Sequence, residues 1–530
     1  MKASFITARE AADLFTSGMT VCPIGMTLVS SCEAILKEIE KKFLSEGTPK
    51  DLIYVHSCGQ SDRKDGNNHL AHKGLVKRVI GSHWGLSPKW MDLIRENSVE
   101  AYCIPQGQMT HLYRAMAGGK PGSFSKIGLG TFIDPRVEGG KMNERTKVLE
   151  DISEIISLRG EEYLFYHSMP LDIVLIRGTY ADEMGNLSTQ EEAMKLEMLP
   201  AVMAARHYGG KVIAQVKKVV ATGTLNPKDV VVPGPFIDHI VVTENPLEDH
   251  RQTSSWYFDP AYSGSARDPI TSNKPLPLDI RKIIGKRGAL EMYNGCIINL
   301  GTGIPNDVIG GIIGEEQIGD QVVVTVESGI YGGEPAGTID FGIGKNLWAM
   351  IEHDKQFDYY NGVGVDITFM GVGEVDKNCN VNSTKMGDKC PGAGGFIDIT
   401  TPAKHVVFLS TFTAGGLSIE IENGNLKILK EGKIKKFVEE VTQISYNGQM
   451  ARKRNQKMHI ITERAVFEMR PEGLVLTEIA EGIDLKKDIL DQMGFIPIIS
   501  ENLMFIPKEV YLDNPLELRA KLNIKENNVI

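Results

Sequence analysis

Seven cysteines, Cys22, Cys32, Cys58, Cys103, Cys296, Cys379 and Cys390, include no Cys-x-x-Cys pair. An odd number in a long chain reads as reduced, mostly buried thiols of an intracellular protein. No apolar run approaches the ~20 residues of a membrane helix. Near the start, Arg9, Glu10 and Asp13 interrupt any secretory apolar stretch, and Thr7 with Glu10 has the spacing of a helix capping box. The expected location is the cytoplasm. Positive charge is short too: 58 Lys and Arg against 68 Asp and Glu leave a net charge of −10. The basic face of a nucleic-acid binder is missing.

Several familiar motifs are also missing. There is no Gly-x-Ser-x-Gly elbow. Gly344-Lys345 is followed by Asn346 and has no glycine five residues before Gly344, so it is not a P-loop. Gly301-Thr-Gly303-Ile-Pro305-Asn306 lacks the third glycine of a dinucleotide fingerprint, and Pro305 intrudes. His69-x-x-His72 lacks further ligands at zinc spacing and reads as a pair of surface residues. No metal site is expected.

What the chain does have is glycine: 55 in 530 residues, above the usual share of about 7%. With no Gly-X-Y period this is not collagen, and it points to tight turns and close backbone approaches. Short apolar runs, Val230–Val232, Ile240–Thr243, Ile297–Leu300, Val322–Val326, Ile367–Met370 and Val406–Leu409, alternate with amphipathic stretches. Such runs predict strands buried on both faces. Between them, Ser87 can cap a helix with Pro88 in its first turn. The fold class is α/β: two similar open α/β domains joined by a Pro/Ser-rich linker. The expected boundaries are 1–245, a linker at 246–278, and 279–530.

The halves echo one another. Asp172, Asp182 and Asn186 reappear as Asp366, Asp376 and Asn380 at a constant offset of 194. Lys211-Val-Ile-Ala faces Lys404-His-Val-Val at offset 193, and Gly18–Gly25 matches Gly295–Thr302 at offset 277. Three matches in one order predict a duplicated fold, with about 80 extra residues between Gly25 and Asp172 of the first half. The repeated Asp and Asn are expected to form turns rather than bind metal.

Chemistry concentrates in the second half. Val322–Val326 is β-prone and ends in Glu327, followed at once by Ser-Gly329-Ile-Tyr-Gly332-Gly333. A carboxylate beyond the carboxyl end of a strand in an open sheet stands where ligands collect. Partial burial would make it a stronger base or nucleophile; alternatively it simply reaches solvent. Cys390-Pro-Gly392-Ala-Gly394-Gly395-Phe-Ile-Asp398 is a glycine loop able to point backbone N–H groups at an anion, and Thr413-Ala-Gly415-Gly416 offers similar geometry. In the first half, Ile104-Pro105-Gln106-Gly107 carries an amide that can donate to an oxyanion.

These segments resemble a family I CoA-transferase, in the acetate/propionate branch with both halves fused. Glu327-Ser-Gly-Ile-Tyr-Gly-Gly-Glu-Pro-Ala-Gly337 is similar to that branch's Glu-x-Gly-x-x-Gly-Gly-x-Pro-Ala signature. Gly392–Phe396 is similar to the family's Gly-x-Gly-Gly loop, and Pro105–Gly107 to its Pro-Gln-Gly. The resemblance implies ping-pong transfer of CoA between a short-chain acyl-CoA and a free carboxylic acid through a glutamyl-CoA thioester. Glu327 would be the nucleophile, with Gln106, Gly394 and Gly395 as oxyanion and positioning groups. Gly329, Gly332, Gly333, Gly392, Gly415 and Gly416 would contact substrate or CoA. No tightly bound cofactor is implied. CoA is a co-substrate, and the chain is expected to form a homo-oligomer, dimer or tetramer. Two rival readings are a thioesterase using the same glutamate and a non-catalytic ligand binder.

Overall fold

The computed structural model describes residues 3–269 and 275–526. The expected connection at 246–278 includes residues 270–274, which lie outside the described residues. In the first half, five strands lie parallel: β1 (Thr20–Pro23), β2 (Leu52–Val55), β3 (Ile173–Asp182), β4 (Lys211–Val220) and β5 (His239–Val242). The second half has β6 (Ile297–Leu300), β7 (Val323–Val326), β8 (Ile367–Gly371), β9 (His405–Leu409) and β10 (Lys457–Ile461). Their spatial orders are β5-β4-β3-β1-β2 and β10-β9-β8-β6-β7, the same topology twice. Near-continuous burial of β1, β3, β8 and β9 explains their apolar runs, since helices and loops cover both faces.

The echoed residues do the same work in each half. Asp172 Oδ2 accepts the Thr20 N–H at 2.7 Å, and Asp366 Oδ2 accepts that of Ile297 at 2.8 Å. Each pins the start of one central strand to its neighbour. Asp182 Oδ1 accepts the N–H groups of Met184 and Asn186, and Asp376 Oδ1 those of Asn378 and Asn380. The Asn186 and Asn380 side chains donate back to these aspartates. Both are turns stabilised by side-chain to backbone bonds, as expected. The extra material of the first half contains strands Val76–Gly81 and Glu100–Cys103, which extend the sheet beyond β2. It also contains a three-stranded antiparallel sheet of Gly122–Ser125, Glu161–His167 and Ser153–Leu158.

Four local expectations are corrected. Strand register places Lys211 beside Ile173 and His405 beside Ile367, so Lys211 corresponds to His405 rather than Lys404. Val230–Val232 is a half-exposed strand paired antiparallel with Leu187–Ser188, not a buried central one. Ser87 does precede helix Pro88–Arg95, but its hydroxyl donates to Asn67 instead of accepting a capping bond. His69 is buried and His72 half-buried, each bonded to Glu40, so neither is a free surface residue. The Thr7–Glu10 capping box is present, and all seven cysteines are buried.

Two apolar cores form, but they do not divide cleanly by sequence. Val326, Ile330, Phe341, Cys390, Ala393 and Ile397 of the second half pack into the core of the first. The segments on either side of Glu327 and the glycine loop are therefore anchored in the opposite half. Between the halves, residues 250–269 form no regular element yet tie both together. Arg251 pairs with Asp65, Ser254 donates to the Ile339 carbonyl, and Lys345 pairs with Asp259 and Asp268. Four helices frame the junction: α1 (Gln106–Ala117), α2 (Met198–His207), α3 (His353–Gly362) and α4 (Phe396–Thr400).

Candidate active site

A cavity of about 600 Å³ opens between the halves. Glu327, Gln106, Gly392, Gly394 and Gly395 all line it, although they come from three distant segments. Glu327 follows β7 directly, and the Gly329 N–H closes the turn onto the Val326 carbonyl at 3.0 Å. Glu327 as a whole is 7% exposed. Burial pushes its pKa up to about 7, against the smaller opposing pull of its own backbone N–H and of His353. Loss of water from a carboxylate raises its pKa and its basicity together.

The glycine loop is stitched to the first half. Gly394 donates its N–H to the Ser82 carbonyl at 2.9 Å, and Gln106 donates its N–H to the Gly394 carbonyl at 3.0 Å. Trp84 donates to the Pro391 carbonyl at 2.6 Å. Gly392 permits this approach: its φ is +84°, and a Cβ there would lie 2.4 Å from the Ser82 carbonyl oxygen. The Gly394 amide is thus committed to structure and cannot serve an oxyanion. The Gly395 N–H has no acceptor among the described residues and opens helix α4 beside the cavity. Of the two amides expected to face an oxyanion, only that of Gly395 is uncommitted among the described residues.

The remaining expected contacts lie off the cavity lining. Gly329, Gly332 and Gly333 shape the hairpin behind Glu327. A Cβ at Gly329 would meet the Ile351 carbonyl at 2.2 Å, at Gly332 the Trp348 ring at 2.3 Å, and at Gly333 the Lys345 carbonyl at 2.1 Å. The Gly329 approach has a chemical consequence, because the Ile351 segment pressed against it leads straight to His353. Gly415 and Gly416 sit at the turn after Thr413–Ala414, whose partner strand is Ile434–Lys435, and contribute nothing to the cavity wall. Conversely, Gly301 and Gly303 of the failed dinucleotide motif do line it.

Sequence reasoning missed the polar network beneath this wall. Gln106 Nε2 lies 2.9 Å from His353 Nε2, and His353 Nδ1 lies 2.5 Å from Glu197 Oε2. The other Glu197 oxygen accepts the Ser57 hydroxyl, and the Cys58 sulfur is 3.9 Å from the imidazole. His353 and Glu197 are fully buried. Burial works against a charged imidazole, but the facing Cys58 sulfur and Glu197 carboxylate together hold its pKa well above the usual histidine range. Burial also pushes the Cys58 pKa up, against the pull of His353. Asp398 reaches across the halves too, accepting the Gly107 N–H at 2.9 Å and Gln108 Nε2 at 2.7 Å; burial raises its pKa to about 6. His83 lines the cavity as a neutral imidazole, its pKa lowered by burial to about 4. The glycines beside it, in Gly81-Ser-His83-Trp-Gly85, were the one local sign of it.

Among the described residues, Cys58, Glu197 and His353 converge, as do Glu291, His405 and His459, and Glu33, Asp65 and His69. Ligands on one tetrahedral zinc with ~2.1 Å bonds sit roughly 3.4 Å apart. The 2.5 Å His353–Glu197 and 2.7 Å His405–His459 spacings are those of shared protons. His69 Nδ1 shares a proton with Glu40 at 2.5 Å, and its Nε2 lies 3.3 Å from Glu33. No helix among the described residues is long and apolar enough to cross a membrane.

A family model described as coenzyme A transferase matches residues 5–243. A caffeate CoA-transferase from Acetobacterium woodii is 41% identical over 507 residues, 94% of this chain and 96% of that one. The acetate CoA-transferase YdiF of Escherichia coli (strain K12) is 38% identical, covering 96% of this chain and 95% of its own. The crystal structure of the YdiF apoenzyme from Escherichia coli O157:H7 matches with a TM-score of 0.91 at 37% identity over 97% of both chains. A YdiF thioester complex with CoA matches with a TM-score of 0.89 at 36% identity, again over 97% of both.

Proposed function

The chain belongs to the coenzyme A transferase family, and on that premise we propose that Glu327 carries CoA between an acyl-CoA and a free carboxylic acid. The observation that supports this reading is a buried carboxylate in one cavity with an amide side chain and an uncommitted backbone N–H. One Glu327 oxygen attacks the thioester carbonyl, the C–S bond breaks, and an acyl-glutamyl anhydride and CoA thiolate form. The thiolate then attacks the Glu327 carbonyl carbon, expelling the first acid as its carboxylate and leaving a glutamyl-CoA thioester. A second carboxylate reverses both steps. Only a carboxyl side chain can be acylated and then become the thioester itself.

Each step passes through a tetrahedral oxyanion. The Gly395 N–H and the Gln106 amide are the donors we assign to it, and loss of one such donor typically costs about 10²–10³ in rate. An anhydride must be kept from water. The near-complete burial of Glu327 and the stitched glycine loop serve that end. His83 stands on the same wall, uncharged, and adds no cation to compete with the glutamate.

Acceptor dependence separates transfer from hydrolysis. With acyl-CoA and a ¹³C-labelled free acid, label is expected to enter the acyl-CoA pool, with turnover rising as acid is added. Thiol release at the same rate with no acid present would establish a thioesterase instead.

A further inference from the structure

The two oxyanion donors proposed above belong to different halves, so their separation has to be fixed by contacts across the junction. Gln106 opens α1, and the N-cap residue before it is Pro105, whose side chain cannot cap a helix. The first N–H groups of such a helix need acceptors from elsewhere. They come from the other half. Gln106 donates its own N–H to the Gly394 carbonyl at 3.0 Å, and Gly107 donates to Asp398 Oδ2 at 2.9 Å. Both peptide units flanking the Gln106 Cα are therefore held by one short segment, 394–398. The other carboxylate oxygen, Oδ1, accepts the Gln108 side-chain amide at 2.7 Å.

We infer that Asp398 is the positioning residue that sets Gln106 against the Gly395 N–H. The inference rests on the oxyanion role proposed for Gln106. Asp398 stands in the short helix α4 that Gly395 opens, so its carboxylate and that donor move as one piece. It is fully buried and takes donors from α1 in place of water. The approach is as close as the backbone allows, because a Cβ at Gly107 would lie 2.7 Å from Asp398 Oδ1. Gln106 and Gly107 come from the first half and Asp398 from the second. The two donors therefore come into register only when the halves are docked. What the position demands is an acceptor toward the Gly107 N–H, which an amide oxygen supplies as well as a carboxylate does.

A double-mutant cycle with a rescue variant tests this, reading kcat and KM for acyl-CoA per folded protein. Asp398→Ala is expected to lower kcat by about 10², the cost of a displacement of about 1 Å, with KM little changed. Asp398→Asn keeps an acceptor in place, and the Gln108 amide can turn to match it, so kcat should return to within about fivefold. In a Gln106→Ala background, Asp398→Ala should cost less than about threefold further. An Asp398→Ala enzyme with unchanged kcat, whatever its melting temperature, would make Asp398 a structural cap alone and overturn the inference. Full multiplication of the two kcat effects would overturn it too, as would an Asp398→Asn enzyme no faster than Asp398→Ala. A Gln106→Ala enzyme with undiminished kcat would instead remove the oxyanion role itself, and the inference with it. Should Asp398→Ala not fold, Asp398→Thr takes its place under the same criteria. It fills most of the space but leaves its hydroxyl one bond short of Gly107.

Discussion

Glu327→Gln is expected to abolish transfer, with turnover falling at least ~10⁴-fold, as removal of a covalent nucleophile does. The amide fills the same space but cannot form an anhydride or return as a thioester. The same substitution should make the protein more stable at pH 8. Burial raises the Glu327 pKa from 4.5 to about 7, so the folded state holds this proton more tightly than the unfolded chain does. Between those values stability declines as pH rises, and above about 7 the full cost is present. At roughly 1.4 kcal/mol per unit, Glu327→Gln gains up to about 3 kcal/mol at pH 8 and nothing below about pH 4.5. Thermal melts at the two pH values check the sign. In the unaltered enzyme, kcat/KM should fall tenfold per unit as pH drops below about 7, because only the ionised carboxyl attacks.

Gly107→Ala should cost about 10² in kcat and lower the melting temperature, although alanine is the better helix former by ~1 kcal/mol. A Cβ at Gly107 would sit 2.4 Å from the Phe357 ring and 2.7 Å from Asp398 Oδ1. Phe357 belongs to α3, which also carries His353, and Asp398 belongs to α4, which begins at the glycine loop. Overpacking here costs typically 1–3 kcal/mol. It would also push Gln106 away from both His353 and Gly394, and a displacement of about 1 Å at a positioning residue can cost 10²-fold in rate. Gly362→Ala is the matching control. It lies at the end of α3 with nothing within 4 Å of its Cβ position, so activity and stability should be unchanged or slightly higher.

What the chain reveals locally and what it conceals follow from how far apart the partners are. The duplicated topology was legible because Asp172 and Asp366, and the Asp-x-x-x-Asn turns after β3 and β8, serve backbone groups close to them in the fold. Glu327 was legible for a similar reason: one segment holds the strand, the carboxylate and the glycine turn. The slip from His405 to Lys404 arose because matching letters favoured lysine, whereas strand pairing sets the register. Gly394 shows a different limit. Sequence identifies a glycine but not whether its N–H is already spent, and here the Ser82 carbonyl takes it. Glu197, His353, Asp398 and the adjacent Ser57-Cys58 pair share no motif spacing. His353 and Asp398 reach their first-half partners across the junction, where the flanks of Glu327 insert into the core of the first half.

Glycine abundance acquires a purpose from this arrangement. Gly392 lets the loop of one half lie against the backbone of the other, Gly107 lets α1 abut α3 and α4, and Gly329 lets the Ile351 segment that leads to His353 press against the Glu327 turn. Each is a place where two distant segments approach closer than a side chain permits.

The central claim, a covalent CoA carrier at Glu327, is tested most directly by intact mass after mixing the protein with acyl-CoA and no acceptor acid. The expected result is an adduct of CoA less one water, mapping to Glu327 by peptide fragmentation and missing in Glu327→Gln. Active protein of unchanged mass under these conditions, or an adduct on another residue, would contradict it.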